Sequence, residues 1–255
     1  MGQPMVARLI EASHQVQVLC RSAEKRAAVA ELGAHAVVDT AELCARADAV
    51  VVCVFTDDQV QQVCLADNLL AGMAPGSTLV VHTTGSPRTV EAVAARAAPR
   101  DVEVLDAPVS GGPHDAAAGS LTLFVGGTDD AVARVRPALS SYGDPVLHVG
   151  PLGAGQKVKL INNALFAAQI GLLSGSVELG ARLGVPESTL LAALRHGSAA
   201  SRVLEIVAAG GSVASFVDTA GQFVGKDIAV VRSVVAEMGS TLGVLDDVIG
   251  AAIGV

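Results

Sequence analysis

Hydrophobic residues follow two different patterns along this chain, and the change falls near residue 150. Before it, short apolar runs alternate with segments whose apolar residues recur at helical spacing. This alternation of strands and helices predicts a parallel sheet covered by helices. The predicted strands are Val16–Cys20, Ala36–Val38, Ala49–Phe55, Thr78–His82, Val102–Leu105, Ser120–Val125 and Pro145–Val149.

The helices between these strands are marked at their starts by residues that commonly cap helix N-termini. Ser22, Thr56 and Ser86 each precede a segment with helical spacing. The predicted helices are Ala23–Leu32, Asp57–Leu65 and Pro87–Ala98, with another that begins near Asp129.

Strand signals almost vanish after Pro151, and the remaining pattern predicts helices. Residues 154–184 form one long predicted helix with apolar residues nearly all round, so we expect other helices or a second subunit to cover it. Shorter helices are predicted at 186–196, 200–209, 213–223 and 226–239. The sequence therefore predicts an α/β Rossmann-type domain at residues 1–152 and an all-α domain at residues 153–255.

Composition fits this division and argues against some partners. The 255 residues are 51% hydrophobic but only 2% aromatic, so the core is built from small aliphatic side chains, which suit parallel strands beneath helices. A net charge of −8 without basic runs argues against a nucleic-acid partner. The four cysteines form no Cys-x-x-Cys pair; they are predicted to be reduced and mostly buried, and no metal site is predicted.

Cellular location is predicted from two features of the chain. The apolar runs are too short, or too interrupted by polar residues, to predict a membrane span. The N-terminus lacks the basic start and apolar stretch of a signal peptide. The sequence therefore predicts a cytoplasmic protein without a membrane partner.

Lys159 and Asn163 are the strongest candidates for chemistry. They lie four residues apart in GAGQKVKLINN (153–163), one turn of the long predicted helix, so both side chains leave the same face. An amine in a dry cleft can donate and accept a proton, and an amide can orient a carboxylate or hydroxyl. Lys157 leaves another face and is expected to be solvated. The alternative is that Lys159 is an ordinary surface lysine.

A glycine-rich segment, DAPVSGG (106–112), follows a predicted strand. Ser110 offers a hydroxyl, and Gly111 and Gly112 offer bare backbone N–H groups that a ligand can approach closely. These groups predict a site for the carboxylate of a small substrate. A plain connecting loop is the alternative.

The chain opens on MGQPM, which resembles the last part of a phosphate-binding turn that enters a helix. Gly2, Pro4 and Met5 are therefore predicted to contact a dinucleotide, with an ordinary helix start as the alternative. The strand that precedes such a turn normally lies in the middle of the sheet. We therefore expect about a dozen further residues upstream in the native protein, because a missing central strand leaves backbone groups unpaired.

The end of the Val16–Cys20 strand bears on which dinucleotide binds. An acidic residue there would favour NAD, but this chain has Arg21 and Ser22, which suit a 2′-phosphate. NADP is therefore predicted, with NAD as the alternative, or else Arg21 begins a solvated helix. Thr84 follows another strand and is predicted to contact the cofactor, whereas His82 is expected to be structural.

Four motifs, MGQPM, DAPVSGG, GAGQKVKLINN and GKD (225–227), occur in the order seen in β-hydroxyacid dehydrogenases. The chain resembles this family, which includes 3-hydroxyisobutyrate dehydrogenase and tartronate semialdehyde reductase, along nearly its whole length. The resemblance implies a Rossmann-type domain, an all-helical domain and a homodimer or homotetramer. It also implies that Lys159 is the acid/base, that Asn163 and Ser110 to Gly112 hold the substrate, and that Lys226 lies beside the cofactor.

The predicted function is hydride transfer between NADP(H) and a short β-hydroxy acid or its semialdehyde. One alternative is a catalytically silent dehydrogenase-like scaffold, since both ends of the chain are shorter than the family pattern. Another is imine reduction on the same scaffold. For Lys226 and Asp227, a solvated ion pair is the alternative to a role at the cofactor.

Overall fold

A computed structural model describes residues 1–67 and 69–253 of the chain. The last two residues of the predicted second domain, 254 and 255, lie outside the described residues. The chain divides into two compact units, Met1–Lys159 and Leu160–Val255.

The first unit contains every strand of the described chain and eight α-helices. The strands are β1 (Gln17–Leu19), β2 (His35–Val37), β3 (Ala49–Val52), β4 (Thr78–Val81), β5 (Glu103–Asp106), β6 (Val109–Ser110), β7 (Leu121–Gly126) and β8 (Gly143–Gly150). The helices are α1 (Gly2–Glu11), α2 (Ala23–Glu31), α3 (Thr40–Cys44), α4 (Asp57–Gln61), α5 (Leu69–Gly72), α6 (Pro87–Ala97), α7 (Pro113–Ala118) and α8 (Asp129–Leu139). A π-helical turn (Gln62–Ala66) follows α4, and a 3₁₀ turn (Ala98–Arg100) follows α6.

The strands form two sheets and are not all parallel. Strands β1 and β2 pair in parallel in a two-stranded sheet, and β3, β4 and β5 are parallel in a second sheet. The prediction of a fully parallel sheet is wrong beyond β5, because β7 runs antiparallel to both β5 and β6 while β8 is parallel to β7. The expected additional upstream strand stays a prediction.

Helices cover both faces of the larger sheet, as the side chains of strand β4 show. Successive side chains of a strand point to opposite faces. Leu79 and Val81 pack in one apolar cluster with α6, whereas Val80 packs in another with α8. Residues of β4 are all buried, as the near-continuous apolar pattern of a doubly covered strand predicts.

The second unit consists of helices, and the first of them begins in the first unit. They are α9 (Ala154–Arg182), α10 (Glu187–Leu194), α11 (Arg202–Ala209), α12 (Val213–Glu237) and α13 (Val244–Ile253). The prediction of two helices at 213–223 and 226–239 is wrong, because α12 continues through Gly225. Its buried Val224, Ile228 and Val231 keep one apolar face in the helical core, which offsets the low helix propensity of the glycine.

Helix α9 is 29 residues, or about 44 Å, long, as predicted. Its length and composition would also permit a membrane span. Of its most apolar 18-residue stretch, 33% is buried inside the protein. This is weak evidence, because core helices of folded domains have the same properties. Leu160, Ala164 and Ala167 of α9 pack in the helical core of the second unit. The absence of a membrane partner stays a prediction.

All four cysteines are free thiols, as predicted. Cys20, Cys44 and Cys64 are buried and Cys53 is half-buried. Burial raises the pKa of the Cys44 and Cys53 thiols, and raises that of Cys64 to about 12. These three thiols therefore stay protonated near neutral pH and behave as small hydrophobic side chains.

Candidate active site

The start of α9 is held by a carboxylate from the end of β5. Asp106 is fully buried; its Oδ1 accepts a hydrogen bond from the Gly153 backbone N–H and its Oδ2 one from that of Gln156, both at 2.6 Å. Free N–H groups at a helix start need such acceptors. Gly155 has no room for a side chain, since a β-carbon there would lie 2.8 Å from Asp106 Oδ2. The two glycines that open this segment therefore serve this contact.

Burial of Asp106 raises the pKa of its carboxyl above the ordinary value, and the two N–H donors oppose the shift. The sequence motifs drew attention to Ser110 to Gly112 and not to Asp106. The sequence feature that could have identified Asp106 is an acidic residue at the end of an apolar strand, just before the glycine-rich segment.

Gln156 joins the same helix to the loop after β4. Its side chain is 1% exposed; Nε2 donates to the Thr83 carbonyl at 2.8 Å and Oε1 accepts from the Gly85 N–H at 3.0 Å. Thr83 in turn donates its hydroxyl to the Val54 carbonyl at 2.9 Å. The first turn of α9 is thus bonded to the ends of two neighbouring parallel strands, which is the edge where ligands bind in open α/β sheets. Thr84 is half-buried in this loop.

Asp57 also supports this loop. Its Oδ1 accepts from the Ser86 N–H at 3.2 Å, and its Oδ2 accepts from the Thr89 hydroxyl at 2.6 Å. Asp57 therefore lies in the first turn of α4 and also fixes the start of α6.

His82 has the structural role predicted for it. Nδ1 lies 2.6 Å from the Ala107 carbonyl and Nε2 lies 2.9 Å from the Tyr142 hydroxyl, so Nδ1–H donates and Nε2 accepts. Burial lowers the pKa of His82 to about 4, so the imidazole is neutral near pH 7. The hydrogen bond from Nδ1–H to the Ala107 carbonyl holds the backbone three residues before Ser110.

The Ser110 to Gly112 segment differs from the expected loop of bare N–H groups. Ser110 belongs to β6 and pairs with Thr122 of β7. Gly111 has φ +122°, which favours glycine. The Gly112 N–H donates to Asp115 Oδ2 at 2.6 Å, so the expectation that this N–H is unoccupied is wrong. Asp115 forms this bond because Gly112 caps the start of α7, a helix that the sequence pattern did not predict.

Lys159 and Asn163 are both buried on α9, one helical turn apart. Lys159 is 9% exposed and Asn163 is 7% exposed, whereas Lys157 is exposed as expected. This burial argues against the alternative of an ordinary surface lysine. Their catalytic role stays a prediction.

Two neighbours fix the Asn163 amide within the helical unit. Its Nδ2 donates to Asp227 Oδ2 at 3.2 Å, and its Oδ1 accepts from Asn162 Nδ2 at 3.3 Å. Asp227 therefore contacts the Asn163 amide, and Asp227 and Lys226 are both half-buried. The solvated ion pair of Lys226 and Asp227 stays the alternative to a role at the cofactor. Sequence reasoning did not connect Asp227 with Asn163, because the two residues lie 64 positions apart along the chain.

Three of the predicted cofactor residues, Gly2, Pro4 and Met5, belong to the first helix, α1. Helix α1 starts at Gly2 without a side-chain cap or an acidic residue in its first turn, and this leaves a positive helix end that suits a phosphate. Met5 is buried in the apolar core, and Pro4 is half-buried. The start of α1 therefore suits a phosphate, whereas the side chain of Met5 packs inside the unit.

The two residues predicted to select NADP lie at the start of α2. Arg21 is 81% exposed on its side chain, and its nearest acidic group is Asp67 Oδ2 at 4.0 Å. The Ser22 hydroxyl caps α2 by accepting from the Lys25 N–H at 3.3 Å. Both the phosphate-binding and the solvated-helix interpretations of Arg21 remain consistent with this exposure.

The described residues contain no group of three or more His, Cys, Asp or Glu side chains placed to hold a metal ion.

Comparison with known proteins finds relatives that match most of the chain. A family profile for the NAD binding domain of 6-phosphogluconate dehydrogenase matches residues 1–150, and one for the NAD-binding region of NADP-dependent 3-hydroxyisobutyrate dehydrogenase matches residues 153–249. A 3-hydroxyisobutyrate dehydrogenase of Pseudomonas aeruginosa is 33% identical over 207 residues, 81% of this chain and 70% of that protein. An NAD-dependent L-serine dehydrogenase of the same organism matches with the same identity and coverage.

A solved structure of Mycobacterium tuberculosis 3-hydroxyisobutyrate dehydrogenase with L-serine superposes with a TM-score of 0.87. It is 26% identical and covers 98% of this chain and 88% of that chain. The chain belongs to the β-hydroxyacid dehydrogenase family, which confirms the predicted fold class and a nicotinamide-dependent oxidoreductase activity.

Proposed function

We propose that this protein transfers a hydride between NADP(H) and a short β-hydroxy acid or its semialdehyde. The observation that carries the proposal is the burial of Lys159 one helical turn from Asn163, whose amide is fixed by Asn162 and Asp227. Oxidation of an alcohol must remove a proton from its hydroxyl, and reduction of the carbonyl must return it. Lys159 carries this proton, and Asn163 orients the reacting hydroxyl.

A bound nicotinamide cofactor supplies or accepts the hydride. Gly2, Pro4 and Met5 are proposed to lie at its pyrophosphate, since α1 begins there without a side-chain cap. Thr84 and Lys226 are proposed to lie nearer its reactive end. The Ser110 hydroxyl and the Gly111 backbone N–H, with Gly112 beside them, are proposed to bind the substrate carboxylate.

NADP is the proposed cofactor because the guanidinium of Arg21 is exposed and the next residue, Ser22, offers a hydroxyl. Together they can bind a 2′-phosphate through charge-assisted hydrogen bonds. Asp67 is the competing feature, since its carboxylate lies 4.0 Å from Arg21 and would repel a phosphate. The ratio of kcat/KM for NADP and NAD decides between them, and equal values or an NAD preference would contradict the proposal.

A second copy of this chain is the proposed partner. Four aliphatic residues of α9 are between 47% and 65% exposed, Ile161, Leu165, Leu172 and Leu179. Their spacing places them in one stripe, on the opposite side of the helix from Lys159 and Asn163. Covering this stripe in a homodimer or homotetramer would remove apolar surface from water without blocking the candidate site. The cytoplasmic location stays a prediction.

Activity on a panel of substrates tests the proposed reaction. The panel contains short β-hydroxy acids with NADP or NAD, and cyclic imines with NADPH. We expect oxidation of at least one hydroxy acid and little reduction of imines. Reduction of imines alone would favour the imine reductase alternative. Failure of the folded protein to bind NADPH in a fluorescence titration would favour a silent scaffold.

A further inference from the structure

Asp115 places a negative charge on the segment proposed to bind the substrate carboxylate. Its Oδ2 accepts from the Gly112 N–H at 2.6 Å, and a β-carbon at Gly111 would lie 3.0 Å from the same oxygen. One carboxylate oxygen therefore lies beside both glycines of the Ser110 to Gly112 segment.

No basic side chain forms an ion pair with this carboxylate in the part of the chain that the structure describes. Asp115 is only partly buried. The short α7 helix explains why an acidic residue is tolerated here, since Asp115 completes a cap at Gly112. A neutral residue could accept the same hydrogen bond, so the cap alone does not require the charge.

We infer that Asp115 determines substrate specificity at this site. A fixed carboxylate repels a second carboxylate, and it occupies an N–H donor that the substrate would use. It repels a zwitterion less, because the ammonium of the zwitterion is attracted to the same charge. The substrate class is therefore a β-hydroxy acid that also carries an α-ammonium, in preference to a simple β-hydroxy acid. This inference rests on the proposed function.

Two probes that differ only in the ammonium group test the inference, 3-hydroxypropionate and L-serine. Asp115→Asn keeps an oxygen that can accept from Gly112 and removes the charge, whereas Asp115→Ala removes both. Asp130→Asn is the matched control, because it removes one negative charge from the exposed first turn of another helix, α8. The readouts are kcat/KM with saturating NADP and the dissociation constant of each probe by calorimetry.

We expect Asp115→Asn to raise kcat/KM for 3-hydroxypropionate about tenfold and to change that for L-serine less than about threefold. The preference for L-serine then falls about tenfold, whereas Asp130→Asn leaves it within about twofold. An unchanged preference in a folded Asp115→Asn protein would overturn the inference. So would a fall in the preference that Asp130→Asn reproduces.

Failure of the proposed function gives a different result. In that case the wild-type protein turns over neither probe, and the dissociation constants alone test Asp115. Tighter binding of 3-hydroxypropionate to Asp115→Asn still supports the inference. If 3-hydroxypropionate binds neither the wild type nor the two Asp115 variants, Asp115 is not what excludes it and the inference is wrong. A misfolded Asp115→Ala protein leaves the decision to Asp115→Asn, which retains the cap.

Discussion

The carboxylate of Asp106 accepts a hydrogen bond from the backbone N–H of Gln156 at 2.6 Å, across 50 residues of chain. With the bond from Gly153, it joins the end of β5 to the first turn of α9. Lys159 follows Gln156 by less than one turn, and Ser110 follows Asp106 by four residues. The two segments that carry the proposed proton donor and the proposed carboxylate site are therefore joined at one buried carboxylate.

Replacement of Asp106 by Asn is expected to lower both stability and kcat. The amide has one acceptor oxygen for two N–H donors, so one buried N–H loses its partner, at a cost of about 1–3 kcal/mol. Denaturant unfolding measures the stability, and steady-state kinetics on the folded fraction measure kcat. Glu187→Gln is the control, because Glu187 accepts from the Val213 N–H at 2.8 Å in the second unit. Wild-type stability in Asp106→Asn would contradict this account.

Replacement of Lys159 by Ala is expected to lower kcat by about two to four orders of magnitude, as loss of a general acid/base does. Lys157→Ala serves as the matched control, since Lys157 is exposed two residues earlier on the same helix. Cofactor binding, followed by NADPH fluorescence, should survive in both variants. Near-full activity of a folded Lys159→Ala protein would exclude Lys159 as the acid/base.

Asp227→Asn is expected to lower kcat/KM about tenfold by letting the Asn163 amide reorient. An asparagine at 227 can donate as well as accept, so it no longer fixes which end of the Asn163 amide faces the substrate. Asp218→Asn is the comparison, because Asp218 is exposed on the same helix, α12. The role assigned to Asp227 fails if the two variants have equal kinetics.

Local patterns were enough to predict most elements, because each buries an apolar face that its own residues encode. The strands from β1 to β5 and the span of α9 lie close to their predicted positions. Strand β6 and helix α7 were missed because β6 has only two residues and α7 begins at glycine and proline, which usually mark loops.

The candidate site could be predicted only in part. Lys159 and Asn163 share a helical face, so their spacing was visible in the sequence. The contacts of Gln156 with Thr83 and of Asp227 with Asn163 were not, because they join residues 73 and 64 positions apart. No local periodicity encodes such pairs. Likewise, the Gly112 N–H seemed unoccupied only because the cap by Asp115 depends on the unpredicted helix α7.

His82 should make stability depend on pH in the acidic range. Its pKa falls from 6.5 to about 4 on folding because of burial, so between these values the unfolded chain binds a proton that the folded chain does not. The free energy of unfolding should therefore decrease by about 3 kcal/mol as the pH falls from 6.5 to 4. Urea unfolding at several pH values, for the wild type and His82→Gln, measures this contribution as a difference. Identical pH profiles would show that His82 does not titrate as stated.

Replacement of Leu172 by Glu is expected to dissociate the proposed oligomer. Leu172 is 58% exposed in the apolar stripe of α9, and a charge there would have to be buried against a second copy without a partner. Analytical ultracentrifugation of the wild type and the variant measures the change in mass. The control is Ile206→Glu, a similar exposed aliphatic residue, 39% exposed, on α11. If the wild type is a monomer, or if both variants retain the wild-type mass, the stripe is not the contact between copies. Retention of cofactor binding in Leu172→Glu would show that any loss of mass does not come from unfolding.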